Sequence, residues 1–179
     1  GYTGYVCVLS GKHSNVEPGF PCVDSVGLDL KFRVSATLRN MTKSPIAELL
    51  FAFLEQAHTD NLKFGHYPQE IEEFKSKVSF GQGAKARVPW ISITGAGIST
   101  SNGYYPVYLY YREDNVLILA LGVSETSEYF ETWPDEVTSR YPRIHEVLEN
   151  PPRYGSSWAF RQYEVANGSS GLEITDNGL

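Results

Sequence analysis

The most constraining feature of this sequence is a pair of β-prone runs separated by only four residues. Residues 106–111 read PVYLYY and residues 116–121 read VLILAL, and both are rich in the aromatic and branched side chains that favour strands. The connection, residues 112–115, ends in Asp114–Asn115 and has the length of a hairpin loop. The sequence therefore predicts an antiparallel strand pair. Five of the 12 tyrosines lie between Tyr104 and Tyr111, which is more aromatic surface than a core strand usually needs.

Two helices are predicted ahead of this hairpin. Ser44 supplies an N-cap and Pro45 a favourable first helical position. Apolar side chains then fall on one helical stripe, which extends the helix to about residue 58: Ile46, Leu49, Leu50, Phe53 and Leu54. A second, short helix is predicted from Pro68 through Phe74, because three glutamates within residues 70–73 would lie near its favourable N-terminal end.

Further strands are predicted at about residues 77–80, 88–94 and 158–165. A third helix is predicted over residues 134–149, with an interruption near Pro142. The expected fold class is α+β, a curved and mostly antiparallel sheet with helices packed on it.

A length of 179 residues is enough for one domain with a sizeable core. The predicted domain covers residues 42–166. Residues 1–41 form an extension for which the pattern gives no role. Residues 167–179 are rich in glycine, serine, asparagine and aspartate, which is typical of a linker or a disordered tail.

The net charge of −6 argues at first against a nucleic-acid ligand, because phosphate binding needs a cationic surface. The distribution of charge points the other way. Residues 74–112 contain five cations and no acid, whereas residues 113–149 contain nine acids and two arginines. A local basic face on an acidic body fits docking of one surface on DNA. A solvated strand face that happens to lack acids is the alternative.

Several motifs follow one another in a fixed order. They are VSFGQG at residues 78–83, VPWI at 88–91, NGYYPVYLYY at 102–111, LGVSET at 121–126 and RYGSS at 153–157. In this order and spacing they resemble the N-terminal DNA-recognition domain of McrB-type proteins, which belong to restriction systems directed at modified cytosine. The resemblance spans about residues 44–165.

The resemblance implies that the domain flips a base out of the duplex and holds it in a pocket with walls formed by Trp90, Tyr105, Leu109 and Tyr154. Unstacking a base costs a few kcal/mol, and stacking on aromatic side chains contributes about 1–3 kcal/mol per base, which is similar in size. A leucine wall would accommodate a methyl or hydroxymethyl group at C5 of cytosine. The expected partner is double-stranded DNA that carries 5-methylcytosine or a similar base.

The resemblance also implies a finger that fills the vacated space in the duplex. Its tip is Gln82, between Gly81 and Gly83, where the McrB protein used for comparison has a tyrosine. Glutamine lacks a ring for stacking, but its amide can bond the orphaned guanine. Four cations are then expected to contact phosphates without reading sequence: Lys75, Lys77, Lys85 and Arg87.

The residue pattern alone also admits structural roles for these side chains. Trp90 follows a proline at a strand edge, where a core tryptophan is common, and leucines such as Leu109 usually fill cores. The pattern does not separate the two roles for Tyr105, and the Gly-Gln-Gly segment also fits a hairpin with no ligand. Tyr154 lies in a loop, where a large aromatic side chain has no evident core to fill, which favours function.

The alternative function is a protein-interaction module that uses the tyrosine-rich strand surface. An enzyme is not expected, since the sequence has no nucleotide-binding loop ending in Lys-Ser or Lys-Thr and no Gly-x-Ser-x-Gly motif. The four histidines lack metal-ligand spacing. We therefore expect no catalytic residue, no cofactor and no metal here, and a C-terminal nuclease or NTPase module beyond Leu179.

The expected location is the cytoplasm. Cys7 and Cys22 are the only cysteines, which is too few for a disulfide framework. No apolar run approaches the ~20 residues needed to cross a bilayer, and the first residues lack a secretory pattern. No membrane partner is expected.

Overall fold

The fold is a meander of antiparallel strands, which a computed structural model describes for residues 44–95, 100, 104–123, 133–168 and 171–179. Seven strands form one sheet, and each pairs with its neighbours in the chain. The strands are β1 (Glu70–Ile71), β2 (Phe74–Ser79), β3 (Trp90–Thr94), β4 (Tyr104–Tyr111), β5 (Val116–Val123), β6 (Trp158–Gly168) and β7 (Gly171–Asp176). Every pair is antiparallel, so no crossover connection is needed. The predicted extension over residues 1–41 lies outside the described residues.

The predicted hairpin at the centre of the sheet is confirmed. β4 and β5 pair over their full length, from Tyr104 opposite Val123 to Tyr111 opposite Val116. Asn115 closes the turn with a φ of 54°, a left-handed conformation that asparagine adopts more readily than most residues.

The register divides the side chains of the sheet between two faces. Cross-strand partners project to the same side, and successive residues alternate. Trp90 pairs with Leu109, and we call their side the front face. Ile91 pairs with Tyr108, and we call their side the back face. Both faces carry buried apolar side chains along β4 and β5, so both contribute to the core.

The first predicted helix is confirmed as α1 (Pro45–Ala57), and it covers the back face. Phe53 is fully buried and stacks on Phe80 with ring centroids 5.3 Å apart. The hydroxyl of Tyr110 lies 3.1 Å from Nε2 of His58, which follows the helix. The apolar stripe read from the sequence is therefore the surface that packs on the sheet.

The predicted helix over residues 134–149 is divided in two at Pro142, where the interruption was expected. The pieces are α2 (Asp135–Thr138) and α3 (Ile144–Val147). The backbone around Pro142 forms hydrogen bonds with the start of β6 instead of continuing a helix. The N–H of Ile144 donates to the carbonyl of Ser157, and the N–H of Ala159 donates to the carbonyl of Pro142. Ile144 packs into the front-face core.

The short helix predicted from Pro68 through Phe74 is wrong. The segment forms β1 and the start of β2, joined by a tight turn in which Glu72 has a φ of 54°. Burial alternates along β2, with Phe74 and Val78 buried and the lysines between them exposed. That two-residue period identifies a strand. The neighbouring glutamates, which suggested a helix start, lie at the exposed turn instead.

The linker or disordered tail predicted over residues 167–179 differs from the structure. β6 continues to Gly168, and β7 pairs with it from Gly168 opposite Gly171 to Tyr163 opposite Asp176. The apolar side chains of Leu172 and Ile174 are half-buried, as is Asp176, and they alternate with exposed residues along β7. The polar composition of this segment concealed that short alternation.

The fold-class prediction is confirmed for the sheet, which is curled and antiparallel. It is confirmed only in part for the helices. The described residues form one compact unit that is mostly sheet, with the 13-residue α1 and two four-residue helices. Within these residues no helix is long and apolar enough to cross a membrane.

Candidate functional site

The four residues predicted to form the pocket lie together on the front face. Trp90 and Leu109 are direct cross-strand partners, and Tyr105 shares their side because it lies an even number of residues from Leu109. Tyr154 packs against the same cluster from the loop before β6. Leu109 is fully buried and Tyr105 is 8% exposed, whereas Trp90 and Tyr154 are half-buried. The rings of Trp90 and Tyr154 are therefore the more accessible ones of the four.

A row of small side chains separates Trp90 from Tyr105 on the front face. The row runs across four strands, from Ser92 opposite Val107, through Ala120, to Ala159. On one side of it lie Trp90 and Leu109, and on the other side lies Tyr105, since side chains on one face repeat every two residues. The small row therefore forms the floor between the two rings.

Ser92 contributes an unusual polar group to this floor. The residue is 1% exposed, and its Oγ has no hydrogen-bond partner in the part of the chain that the structure describes. An unsatisfied buried hydroxyl costs about 1–3 kcal/mol. A ligand that supplied a donor or an acceptor would remove that cost. The sequence analysis missed Ser92, although its position two residues after Trp90 in a strand was the available signal.

Gly122 lies in a closely packed position opposite Tyr105. The two residues are cross-strand partners. A Cβ at Gly122 would lie 2.8 Å from Cγ1 of Val107, 3.0 Å from the carbonyl oxygen of Tyr105 and 3.4 Å from its Cε2. The side chain of Val107 and the carbonyl of Tyr105 thus occupy the space that a side chain on β5 would fill. Trp133 is buried, and its Nε1 donates to the carbonyl of Gly122 at 3.1 Å, which holds this end of β5 in place.

The backbone holds Tyr154 in a conformation that is rare for a bulky residue. Its φ is 62°, in the left-handed region, which costs of order 1–3 kcal/mol for a residue other than glycine. The hydroxyl of Tyr111 donates to the carbonyl of Arg153 at 3.0 Å, and the N–H of Ser157 donates to the carbonyl of Tyr154 at 3.0 Å. The guanidinium of Arg153 lies 4.7 Å from the centroid of the Tyr154 ring. These contacts fix the ring beside the front-face cluster.

Two of the four predicted phosphate contacts share the front face with the aromatic cluster. Lys77 pairs with Ser92 and Lys75 pairs with Thr94, and both lysines are exposed. The ammonium of Lys77 lies 5.8 Å from the centroid of the Trp90 ring. The other two cations lie in the loop between β2 and β3. There Arg87 is exposed, and Lys85 forms an ion pair with Asp60 at 3.2 Å.

The predicted finger is a tight loop with Gln82 exposed at its tip. Gly81 has a φ of 120° and Gly83 has a φ of 71°. A Cβ at Gly81 would lie 2.0 Å from the carbonyl oxygen of Ala84 and 2.6 Å from the backbone nitrogen of Ala86. Only glycine fits at Gly81. The finger borders an open groove whose other side is residues 60–64.

Two buried phenols on the back face have shifted pKa values. Burial raises the pKa of Tyr108, with a smaller contribution from Tyr163, and burial also raises the pKa of Tyr110, which Arg112 partly offsets. These phenols stay neutral on the back face. Within the described residues no group of three or more His, Cys, Asp or Glu side chains could hold a metal ion.

Comparison with known proteins agrees with the resemblance drawn from the motifs. A family profile described as MrcB-like, N-terminal domain matches residues 34–153. The chain therefore belongs to the family of MrcB-like N-terminal domains. The match begins within the stretch that the sequence analysis treated as an extension.

A curated relative gives the same result. It is the Type IV methyl-directed restriction enzyme EcoKMcrB subunit of Escherichia coli strain K12, 35% identical over 108 residues. The aligned part covers 57% of this chain and 23% of the relative, so the chain spans less than a quarter of that relative's length. The predicted resemblance to McrB-type N-terminal domains is confirmed.

The substitution Gly122→Ala should destabilise the protein by about 1–3 kcal/mol, because the added methyl has no room beside Val107 and the backbone of Tyr105. The measurement is urea unfolding followed by tryptophan fluorescence. Gly65→Ala is the matched control, since a Cβ there meets nothing within 4 Å and the stability should hardly change. Equal stability of the two variants would show that the packing around Gly122 has room for a side chain.

Proposed function

We propose that this chain is the reader domain of a modification-dependent restriction system. It binds double-stranded DNA that carries 5-methylcytosine or a similar modified cytosine, in a preferred sequence context. The target base leaves the duplex and enters the space between Trp90, Tyr105 and Tyr154. The observation that carries the proposal is the gathering of these rings with Leu109 on the one face of the sheet that also presents Lys75 and Lys77.

The energetics of base flipping fit this set of side chains. A flipped base loses stacking worth a few kcal/mol, and stacking on an aromatic side chain returns about 1–3 kcal/mol. Trp90 and Tyr154 are the half-buried rings, so they receive the base first. Tyr105 and Leu109 are buried deeper, so in the proposal they contact the base only after it has displaced the side chains that cover them. The left-handed backbone of Tyr154 is strain of the kind that clusters at ligand sites.

An apolar wall alone does not define a modified cytosine. Burying one methyl group contributes about 0.8 kcal/mol, and thymine carries the same methyl group at C5. A polar contact to the ring is needed as well. The hydroxyl of Ser92 lies on the floor of the site without a partner among the described residues. Since Ser92 is 1% exposed, the entering base in the proposal first displaces the side chains that cover this hydroxyl and then bonds it through a polar atom.

The front-face lysines serve as phosphate contacts in the proposal. Phosphate contacts position a protein on the duplex, whereas contacts to bases supply specificity. Lys75 and Lys77 are exposed on the same face as the site, so they can reach the backbone on either side of a flipped nucleotide. Arg87 adds an exposed cation in the neighbouring loop. Lys85 contributes less, because Asp60 already neutralises part of its charge.

The cutting or translocating activity of the system belongs, in this proposal, to a C-terminal nuclease or NTPase module of a larger protein. The name of the relative, a restriction enzyme subunit, and the fraction of it that this chain matches support that view. The chain acts on DNA in the cytoplasm, without a cofactor of its own.

The alternative function, a protein-interaction module, requires an exposed tyrosine-rich surface, and the described tyrosines of β4 do not provide one. The four tyrosines of β4 whose side chains are described, from Tyr105 to Tyr111, are at most 8% exposed. They form the interior of the sheet on both faces and present little phenolic surface to a partner protein.

Trp90→Ala and Tyr154→Ala should each reduce binding to a modified duplex by roughly 5- to 150-fold, the equivalent of one lost stacking contact. Weak binding that decreases with salt should remain, and the preference for modified over plain duplex should approach one. The measurement is fluorescence anisotropy with labelled duplexes. Tyr141→Ala is the matched control, since Tyr141 is also half-buried but packs on Phe160 instead of the site. An unmutated chain that binds both duplexes equally contradicts the proposal.

Ser92→Ala should weaken binding of the modified duplex by roughly 5- to 10-fold, about the value of one hydrogen bond, and should leave the stability unchanged or raised. The reason is that the hydroxyl is unsatisfied until the base arrives. Ser76→Ala is the matched control. The Ser76 hydroxyl is buried on the back face and donates to the carbonyl of Pro68. Ser76→Ala should lose stability and keep its preference for modified DNA. A similar loss of stability in Ser92→Ala would show that the Ser92 hydroxyl is already bonded in the free protein and is not part of the site.

Replacement of Lys75 and Lys77 together by glutamine should reduce the slope of log K against log salt concentration by roughly two, about 0.9 for each lost phosphate contact. The preference for modified DNA should stay. Arg161→Gln is the matched control, because Arg161 lies on the back face opposite Leu119 and pairs with Asp176. An unchanged slope in the double variant would place the front face away from the phosphates.

A further inference from the structure

The loop between α1 and β1 is held by a dense set of hydrogen bonds. Gln56 is buried, and its Nε2 donates to the carbonyls of Asn61 at 2.9 Å and Lys63 at 2.7 Å. Oε1 of Gln56 accepts from the hydroxyl of Tyr67 at 3.0 Å. The N–H of Lys63 donates to Oδ1 of Asn61 at 3.0 Å. One buried amide thus ties both halves of the loop to the end of α1.

This fixed loop presents a phenylalanine to solvent. Phe64 is 50% exposed, and its carbonyl accepts from the N–H of Tyr67 at 3.1 Å, which closes a turn at this position. Among the described residues the only other large hydrophobic side chain with such exposure is Leu179, the last residue of the chain. A single exposed apolar residue is ordinary. Phe64 differs from such a residue because a buried amide holds its loop in place, and we therefore consider its ring a candidate ligand contact.

The ring borders the predicted finger. Residues 60–64 line one side of an open groove, and Gly81, Gln82 and Gly83 line the other. The ion pair between Lys85 and Asp60 joins the two loops. The loop that carries the finger leads directly into β3, whose first residue is Trp90. The groove therefore opens beside the strand that begins the proposed base site.

The exposed side chains around the groove fit DNA as the occupant. Lys63 is exposed next to Phe64, and Arg87 is exposed in the loop after the finger. Asp60 is the one acid that lines the groove, and it is already paired with Lys85. An apolar ring flanked by cations fits a protein that wedges between stacked bases while it holds the neighbouring phosphates.

We propose that Phe64 is the stacking wedge that fills the gap left by the flipped base, and that Gln82 across the groove bonds the orphaned guanine. Gln82 has no ring and cannot replace the lost stacking, whereas Phe64 can. The two functions of a gap filler, stacking and hydrogen bonding, are thus divided between two loops. This inference rests on the proposed function, because a gap exists only if a base leaves the duplex.

The test uses the whole chain and a duplex in which 2-aminopurine lies next to the modified cytosine. The fluorescence of 2-aminopurine rises when it loses a stacked neighbour and falls when a ring stacks on it. Three proteins are compared: unmutated, Phe64→Ala and Phe64→Trp. Phe64→Ala should bind the modified duplex roughly 5- to 150-fold more weakly, the range for one stacking contact. Its complex at saturation should be brighter than the unmutated complex. Phe64→Trp, which retains a ring, should restore both affinity and quenching.

Leu62→Ala is the matched control, since Leu62 is a half-buried residue that lines the same groove and carries no ring. Thermal unfolding of each variant shows whether the loop still folds, and the Phe64→Trp variant keeps the test valid even if Phe64→Ala loosens the loop. If the unmutated chain prefers modified DNA and both Phe64 variants match it in affinity and brightness, the proposed role of Phe64 as a wedge is wrong and the proposed function stands. If the unmutated chain shows no preference for modified DNA, both are wrong.

Discussion

The register between β3, β4 and β5 is the constraint on which the site depends. A slip of one residue would move every side chain to the opposite face. The observed register places Trp90 opposite Leu109 and Tyr105 opposite Gly122. The turn closed by Asn115 fixes the register between β4 and β5. Between β3 and β4, the N–H of Tyr110 donates to the carbonyl of Pro89 at 3.0 Å, which continues the same register past the start of β3. Burial of both faces of β4 from Val107 to Tyr111 then makes any alternative register expensive.

Two features of the proposed reader site lower the stability of the free protein. The hydroxyl of Ser92 is buried without a partner among the described residues, and Tyr154 has a left-handed backbone. Neither feature helps the free protein fold. Both are explained if a ligand completes the site, since polar groups left unsatisfied and strained backbone occur together where a protein binds something. The same reasoning applies to Phe64, which is half exposed on a loop that hydrogen bonds hold in place.

Much of this architecture could be read from the sequence, because the signals were periodic or had characteristic turn residues. The hairpin of β4 and β5, the apolar stripe of α1 and the break at Pro142 all follow from local rules. β1 and β7 could not be predicted in this way, because a two-residue strand and a polar strand with two apolar residues carry little periodicity. The grouping of Trp90, Tyr105, Leu109 and Tyr154 was expected from the resemblance alone, whereas the positions of Ser92 and Phe64 depend on register and loop bonding that no local pattern contains.

The central claim is that a modified cytosine leaves the duplex and enters the front face of the sheet. A crystal structure of the chain with a duplex containing one 5-methylcytosine tests it most directly. The account predicts an extrahelical base between Trp90 and Tyr154, with Oγ of Ser92 within hydrogen-bond distance of one of its polar atoms. A complex in which the modified base stays stacked in the duplex, or in which the DNA contacts the back face, would contradict it.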